Sequence, residues 1–173
     1  FKPGKIYSLI GPSGSGKSTL LNLISLIDKP SSGFLKFNNF KINDNNDERD
    51  NIRSRKIGII YQDKNLLSDF TALENVYLAR LSLDNNLKKA MLDAKNMISR
   101  VGLNKRLKHL PNELSGGESQ RIAISRALIN SPDIILADEP TGNLDSATSI
   151  EIMALFQDIH ENGNTVIIVT HEE

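Results

Sequence analysis

The chain has no cysteine, which excludes disulfides and thiolate metal sites without fixing a compartment. It has no charge excess either. Lys+Arg and Asp+Glu both number 21, so no net charge points to nucleic acid or to an anionic membrane surface. No apolar run approaches the roughly 20 residues needed to span a bilayer, and no secretory leader is visible. Internal repeats are lacking, and the only biased tract is the polar stretch from Asn43 to Asn51. What is left is 173 residues, enough for one domain with a sizeable core and room for a subdomain. Such a chain is expected in the cytosol, with any membrane role supplied by a partner.

What is present starts with Gly11-Pro12-Ser13-Gly14-Ser15-Gly16-Lys17-Ser18-Thr19, which fits G-x-x-x-x-G-K-[ST]. The apolar run Ile6 to Ile10 reads as a buried strand leading into it. The glycines let the backbone wrap with its N–H groups inward. A helix beginning near Lys17 and running to about Ile27 would aim its positive end at the same cavity. Lys17 can then reach the β- and γ-phosphates of a nucleotide, and the Ser18 hydroxyl can ligate Mg²⁺.

Further along, Phe34 to Phe37 reads as a short strand, Asn43 to Asn51 as a solvated surface loop, and Ile57 to Tyr61 as a buried strand followed by Gln62. Thr71-Ala72-Leu73-Glu74 and Ser115-Gly116-Gly117-Glu118 have the form of capping boxes and predict helix starts. Between them Met91, Ala94, Met97, Ile98 and Val101 share one helical face. A mostly helical subdomain, about residues 72–130, is therefore expected inside an α/β core. Ile134 to Ala137 is a third strand, ending in Asp138-Glu139. Asn143-Leu144-Asp145 leads into a helix with Ile150, Met153, Ala154 and Leu155 on an apolar face. Thr165 to Thr170 is a fourth strand, with His171 just past it.

These aliphatic strands read as parallel and covered on both faces. In open parallel sheets ligands bind beyond the carboxyl ends of the strands, so the loop at Gly11, Gln62, Asp138-Glu139 and His171 should converge. Asp138 suits a supporting Mg²⁺ contact opposite Ser18, and Glu139 can polarise the attacking water, with Pro140 enforcing the turn that aims it. Gln62 fits a contact to Mg²⁺ or water, or a simple polar strand cap. His171 joins the set by position, whereas His109 and His160 sit in ordinary helical or loop contexts. Ser115-Gly116-Gly117 forms a second anion nest at a helix start. Either its region folds over the phosphate loop, or it serves a nucleotide held by a second copy in a two-fold head-to-tail pair.

At this point the residues resemble the nucleotide-binding domain of ABC transporters. Leu114-Ser115-Gly116-Gly117-Glu118 looks like the family's signature motif. The phosphate loop, Gln62 (Q-loop), Ile134 to Glu139 (Walker B with catalytic Glu), Asn143-Leu144-Asp145 (D-loop) and His171 (switch His) match in type and order. The resemblance implies a P-loop NTPase core with a mostly parallel sheet, an inserted helical subdomain and a small N-terminal β portion, all one ATPase domain over 1–173. It implies ATP and Mg²⁺ as ligands, with Glu139, His171, Gln62 and Lys17 catalytic and Ser18, Gln62 and Asp138 on the metal. The nucleotide contacts would be residues 11–19, Ser115, Gly116, Gly117, Glu118 and Asp145.

The implied partners are a second nucleotide-binding domain, in a homodimer, and a membrane permease received by the segment after Gln62, with no nucleic acid. That places the chain on the cytoplasmic face of the inner membrane. Leu66 to Val76 and Asp138 to Asp145 look like the lipoprotein-releasing and MacB-type subfamily; the alternative is a regulatory ATPase of a cell-division membrane complex. ABC-type ATPases of DNA repair carry long insertions before the signature, and only Gln62 to Leu114 lies there. Position 118 is Glu where many members have Gln, and Ser119 stands where relatives often have Arg. In the family the adenine-stacking aromatic lies upstream of the phosphate loop and the chain continues past the switch His, so this sequence looks like a core segment.

Overall fold

The computed structural model describes residues 1–12, 14–43, 45–83 and 85–171. Strands β1 (Ile6–Ile10), β4 (Ile57–Ile60), β5 (Ile134–Asp138) and β6 (Thr165–Thr170) form one sheet in the order β1-β6-β5-β4. Every pairing in it is parallel, so all four carboxyl ends emerge on one edge. The small β portion is an antiparallel pair, β2 (Lys36–Phe37) and β3 (Phe40–Lys41). Asn38 and Asn39 join them, both at positive φ (48° and 67°), the backbone that matches a two-residue hairpin to the twist of its strands.

Along β5 and β6 successive side chains enter opposite layers, as the two-residue period requires. Ile135, Ala137, Val166 and Ile168 pack with Ile124, Ile152 and Phe156 on one face. Leu136, Ile167 and Val169 pack with Leu21 and Leu26 on the other. The expectation that all four strands are covered on both faces holds for β4 to β6 and fails for β1. Among the described residues β1 is an edge strand, and Ile6 and Ile10 are 43% and 55% exposed.

The phosphate-loop helix α1 (Lys17–Ile24) stops short of Ile27 because Leu26 turns to φ 62°. The carbonyl of Leu26 is then taken by Arg49 (3.0 Å) and Arg53 (3.1 Å). Both arginines lie on α2 (Asn46–Lys56), whose first half falls in the stretch Asn43 to Asn51 that was expected to be a surface loop. Asn45 caps this helix by accepting from the Asp47 N–H (2.9 Å). Acidic Asp47 and Glu48 stand in its first turn and basic Arg53, Arg55 and Lys56 in its last, complementing the helix dipole. Polar composition concealed that order. Arg49 is buried because its guanidinium also donates to the Asp28 carbonyl (2.5 Å).

Helices α3 (Ala72–Leu81), α4 (Leu87–Arg100) and α5 (Gly116–Leu128) surround a separate core of Ala72, Val76, Ala94, Ile98 and Ile122. Both capping boxes form, Thr71 with Glu74 and Ser115 with Glu118. In α6 (Ser146–Glu161) the buried stripe is Ile152, Phe156 and Ile159. Ile150 and Met153, expected on the buried face, are 71% and 43% exposed. The helix carries two apolar stripes, and the sheet receives the one that contains the phenylalanine.

Helix α5 lies so close over β4 that a Cβ on Gly58 would meet the Ala127 carbonyl oxygen at 2.6 Å and Ile135 Cδ1 at 2.7 Å. Gly58→Ala is expected to lower stability by about 1–3 kcal/mol, the usual cost of overpacking, measured by denaturant unfolding. An unchanged midpoint would show that α5 can rise off the sheet freely.

Candidate active site

The carboxyl ends of the strands open on a cleft of about 630 Å³ lined by Gly14, Gly16, Lys17, Ser18, Thr19, Gln62, Asp138, Glu139 and His171. The groups expected from four separate stretches of sequence thus meet at one place. A cavity of about 690 Å³ at the opposite ends of the strands has a mixed lining that includes Ile24, Leu35, Ile57 and Ile134 beside Lys36, Asp133 and Asn164. It gathers none of these groups.

Gly16 caps α1 with φ 89°, no side chain caps the helix, and no acidic residue stands in its first turn. The N–H groups and positive end of α1 therefore face the cleft uncompensated by any carboxylate of that turn. The Lys17 ammonium donates to the carbonyls of Gly11 (2.6 Å) and Pro12 (2.9 Å), so the loop's own backbone holds it at the cleft wall. Ser15 N–H donates to the Pro12 carbonyl (3.2 Å) and closes the turn. Ser13 lies outside the described residues.

Glu139 reaches the cleft differently from expectation. The turn is made by Glu139 itself, at φ 43°, while its N–H still donates to the Val169 carbonyl (2.8 Å). Its Oε1 lies 2.8 Å from His171 Nδ1. The Glu139 and Gln62 side chains flank Gly142, where an added Cβ would lie 3.4 Å from Glu139 Oε2 and 3.5 Å from Gln62 Nε2. Sequence reasoning missed both the direct Glu139–His171 pair and the approach of Glu139 and Gln62 to Gly142. The order of residues tells that strand ends converge, and it does not tell which side chains then touch.

Ser115, Gly116, Gly117, Glu118 and Asp145 do not line this cleft. The Asp145 carboxylate caps α6, accepting from the Thr148 hydroxyl (2.6 Å) and backbone N–H (3.0 Å), and those bonds hold it below the ordinary carboxylate range. The glycines of the nest lie beside the same turn: an added Cβ would meet Leu144 Cδ2 at 3.2 Å from Gly116 and Thr148 Cγ2 at 2.5 Å from Gly117.

A family model described as ABC transporter matches residues 1–142. The chain belongs to the ABC transporter family. It is 50% identical over 171 residues to the lipoprotein-releasing system ATP-binding protein LolD of Rickettsia bellii, spanning 97% of this chain and 75% of that protein. It is 45% identical to the macrolide export ATP-binding/permease protein MacB of Campylobacter jejuni, over 98% of this chain and 26% of that protein. A dimeric ATP-binding cassette, MJ0796, solved in a post-hydrolysis state with ADP and Pi, superposes with a TM-score of 0.89 at 45% identity, covering 99% of this chain and 76% of that one. The chain is an ATP-binding, ATP-hydrolysing subunit of an ABC transporter.

In this ABC ATPase, Asp138 is pushed above the ordinary carboxylate range, first by burial and then by the neighbouring Glu139 charge, while Lys17 pulls it back. Among the described residues no three His, Asp or Glu side chains gather into a metal cage. A cation bound mainly by nucleotide phosphates and water, with few protein oxygens, suits that arrangement. The Ser18 hydroxyl, the Gln62 amide oxygen and Asp138 are hard oxygen donors on one cleft, and the strained Asp138 charge is one that a cation would relieve. A raised carboxyl pKa favours the folded state at low pH, and that contribution is lost as pH rises through the folded value. Asp138→Asn is therefore expected to raise the melting temperature of the nucleotide-free protein near neutral pH, with the gain shrinking on acidification. A gain that grows on acidification would contradict the raised pKa.

Proposed function

We propose that two copies of this chain bind Mg·ATP head to tail, hydrolyse it, and separate, driving a membrane permease. The observation carrying this reading is the division of labour within one chain. The hydrolytic groups line the cleft, and the Ser115–Gly117 nest stands outside it beside Asp145. A second copy can bring its nest to the open side of the cleft, whereas the same chain's nest is already packed against its own Leu144 and Thr148.

Lys17, the loop amides of residues 11–19 and the N-terminus of α1 would neutralise phosphate charge. Ser18 and Gln62 would hold Mg²⁺ with Asp138 behind them, and the ion, once bound, would neutralise charge between the β- and γ-phosphates. Glu139 accepts a proton from the water that attacks the γ-phosphorus as the bond to the β-phosphate oxygen breaks and ADP leaves. His171 holds the Glu139 carboxylate in place and faces the γ-phosphate. Asp145 shapes the turn that carries the partner's contact.

The segment from Asp63 to Asn75 is proposed to receive the permease. It presents exposed Leu67 and Phe70 on a rigid frame. Asn75 is buried and binds the Leu67 N–H (2.8 Å) and the carbonyls of Leu67, Phe70 and Thr71 (2.9–3.1 Å). Arg126 of α5 donates to the carbonyls of Lys64 (2.6 Å) and Asn65 (2.5 Å). Among the described residues no helix is long and apolar enough to cross a membrane. The proposed location, the cytoplasmic face of the inner membrane, follows from the permease. The helical unit 72–130 would carry the nest to its mate. Likeness to LolD and MacB supports lipoprotein release or MacB-like export over the cell-division reading.

Glu139→Gln should keep ATP binding, lose turnover by about 10²–10⁴-fold, and accumulate an ATP-bound dimer in light scattering. Undiminished hydrolysis by a monomer at high dilution would contradict the two-copy site. Leu67→Glu combined with Phe70→Glu should abolish copurification of the permease while the isolated chain still binds ATP. Retained copurification would place the docking segment elsewhere.

A further inference from the structure

The two anion-binding helix ends of this chain are built on opposite electrostatic plans. Helix α1 has no acidic residue in its first turn. Helix α5, whose start forms the proposed nest for the partner's nucleotide, carries Glu118 there. Glu118 Oε2 accepts from the Ser115 N–H (2.9 Å), and the Glu118 N–H donates to the Ser115 hydroxyl (3.2 Å). A carboxylate thus lies within one turn of the amides that should meet a terminal phosphate. Its charge opposes the ligand.

The second oxygen of that carboxylate is occupied. Arg106 Nε donates to Glu118 Oε1 at 2.8 Å. The Arg106 NH1 group lies 3.2 Å from His109 Nε2. The turn holding Arg106 is itself anchored. The Leu107 and His109 carbonyls accept from Leu73 N–H (3.0 Å) and Ala72 N–H (2.8 Å), at the start of α3. The guanidinium is therefore held by a carboxylate on one side and an imidazole on a tethered turn on the other.

We infer that Arg106 is a positioning residue for ATP-driven pairing. It cancels the Glu118 charge, so that the Ser115–Gly117 nest offers a net positive end to the terminal phosphate held by the other copy. This inference rests on the two-copy reading. Glu118 keeps its capping function, which orders the first turn of α5, and Arg106 removes the electrostatic cost of having a carboxylate there. A glutamine at 118 could cap with its amide oxygen and would not need the arginine's charge.

The test uses the full chain with Glu139→Gln, which holds the ATP-bound pair. The ATP concentration giving half-maximal dimer is read by light scattering. Arg106→Gln is expected to raise that concentration about three- to tenfold near 0.05 M salt, and the deficit should narrow near 0.5 M salt, where charges are screened. Adding Glu118→Gln to Arg106→Gln should bring the requirement back toward that of the parent. Arg106→Lys, which keeps the charge without the fork, should fall between.

A deficit that is independent of salt, or that Glu118→Gln fails to reverse, would overturn the electrostatic role and leave Arg106 a structural strut. If Arg106→Gln does not fold, Arg106→Met, which also removes the charge, and its salt dependence carry the same decision. A parent that never dimerises with ATP would overturn the two-copy reading itself, an outcome visible before any Arg106 variant is made.

Discussion

One helix belongs to two cores, and the rest of the molecule is arranged around that constraint. In α5, Ile122 packs among α3 and α4, while Ile124, two residues on, packs against the sheet. The close approach at Gly58 leaves no layer of side chain between α5 and β4 at that point. The same helix starts at the Ser115–Gly117 nest and reaches, through Arg126, the loop that follows Gln62. Interiors at crystal-like density leave such a helix little room to shift at one end alone. The start of α5, the sheet beneath the nucleotide cleft and the loop after Gln62 are thus held in one packed unit.

Parallel pairing supplies the other half of the design. Because β1, β4, β5 and β6 run in one direction, residues separated by more than a hundred positions, such as Lys17 and Glu139, come to the same edge. That convergence was readable in the sequence, since aliphatic runs followed at once by Gly11, Gln62, Asp138 or His171 carry a direction as well as an element type. The capping boxes at Thr71 and Ser115 were readable for a similar reason, each being a local hydrogen-bond pattern with its own signature.

What escaped the sequence depended on competition between surfaces. Helix α2 looked like a loop because its residues are polar, yet a capping Asn45, an ordered gradient of charge and two arginines with carbonyls to bind make it a helix. On α6 two apolar stripes were available, and only the packing of Phe156 against the sheet decides between them. The partial exposure of β1 reflects the cover it lacks, since β4 at the other edge is buried under α5 and α2, a difference that strand composition does not reveal. The pairing of His171 with Glu139, like that of Arg106 with Glu118, needs tertiary distances that no spacing rule encodes.

The left-handed backbone at Glu139 restricts chemistry as well as shape. Asparagine and aspartate accept that conformation more readily than a longer side chain does. Aspartate would suit the main chain better but would bring its carboxyl up about 1.5 Å short, the length of one carbon–carbon bond, of the imidazole that glutamate now meets at 2.8 Å. Reach and backbone comfort therefore pull in opposite directions at this position, and the chain has settled the conflict in favour of reach.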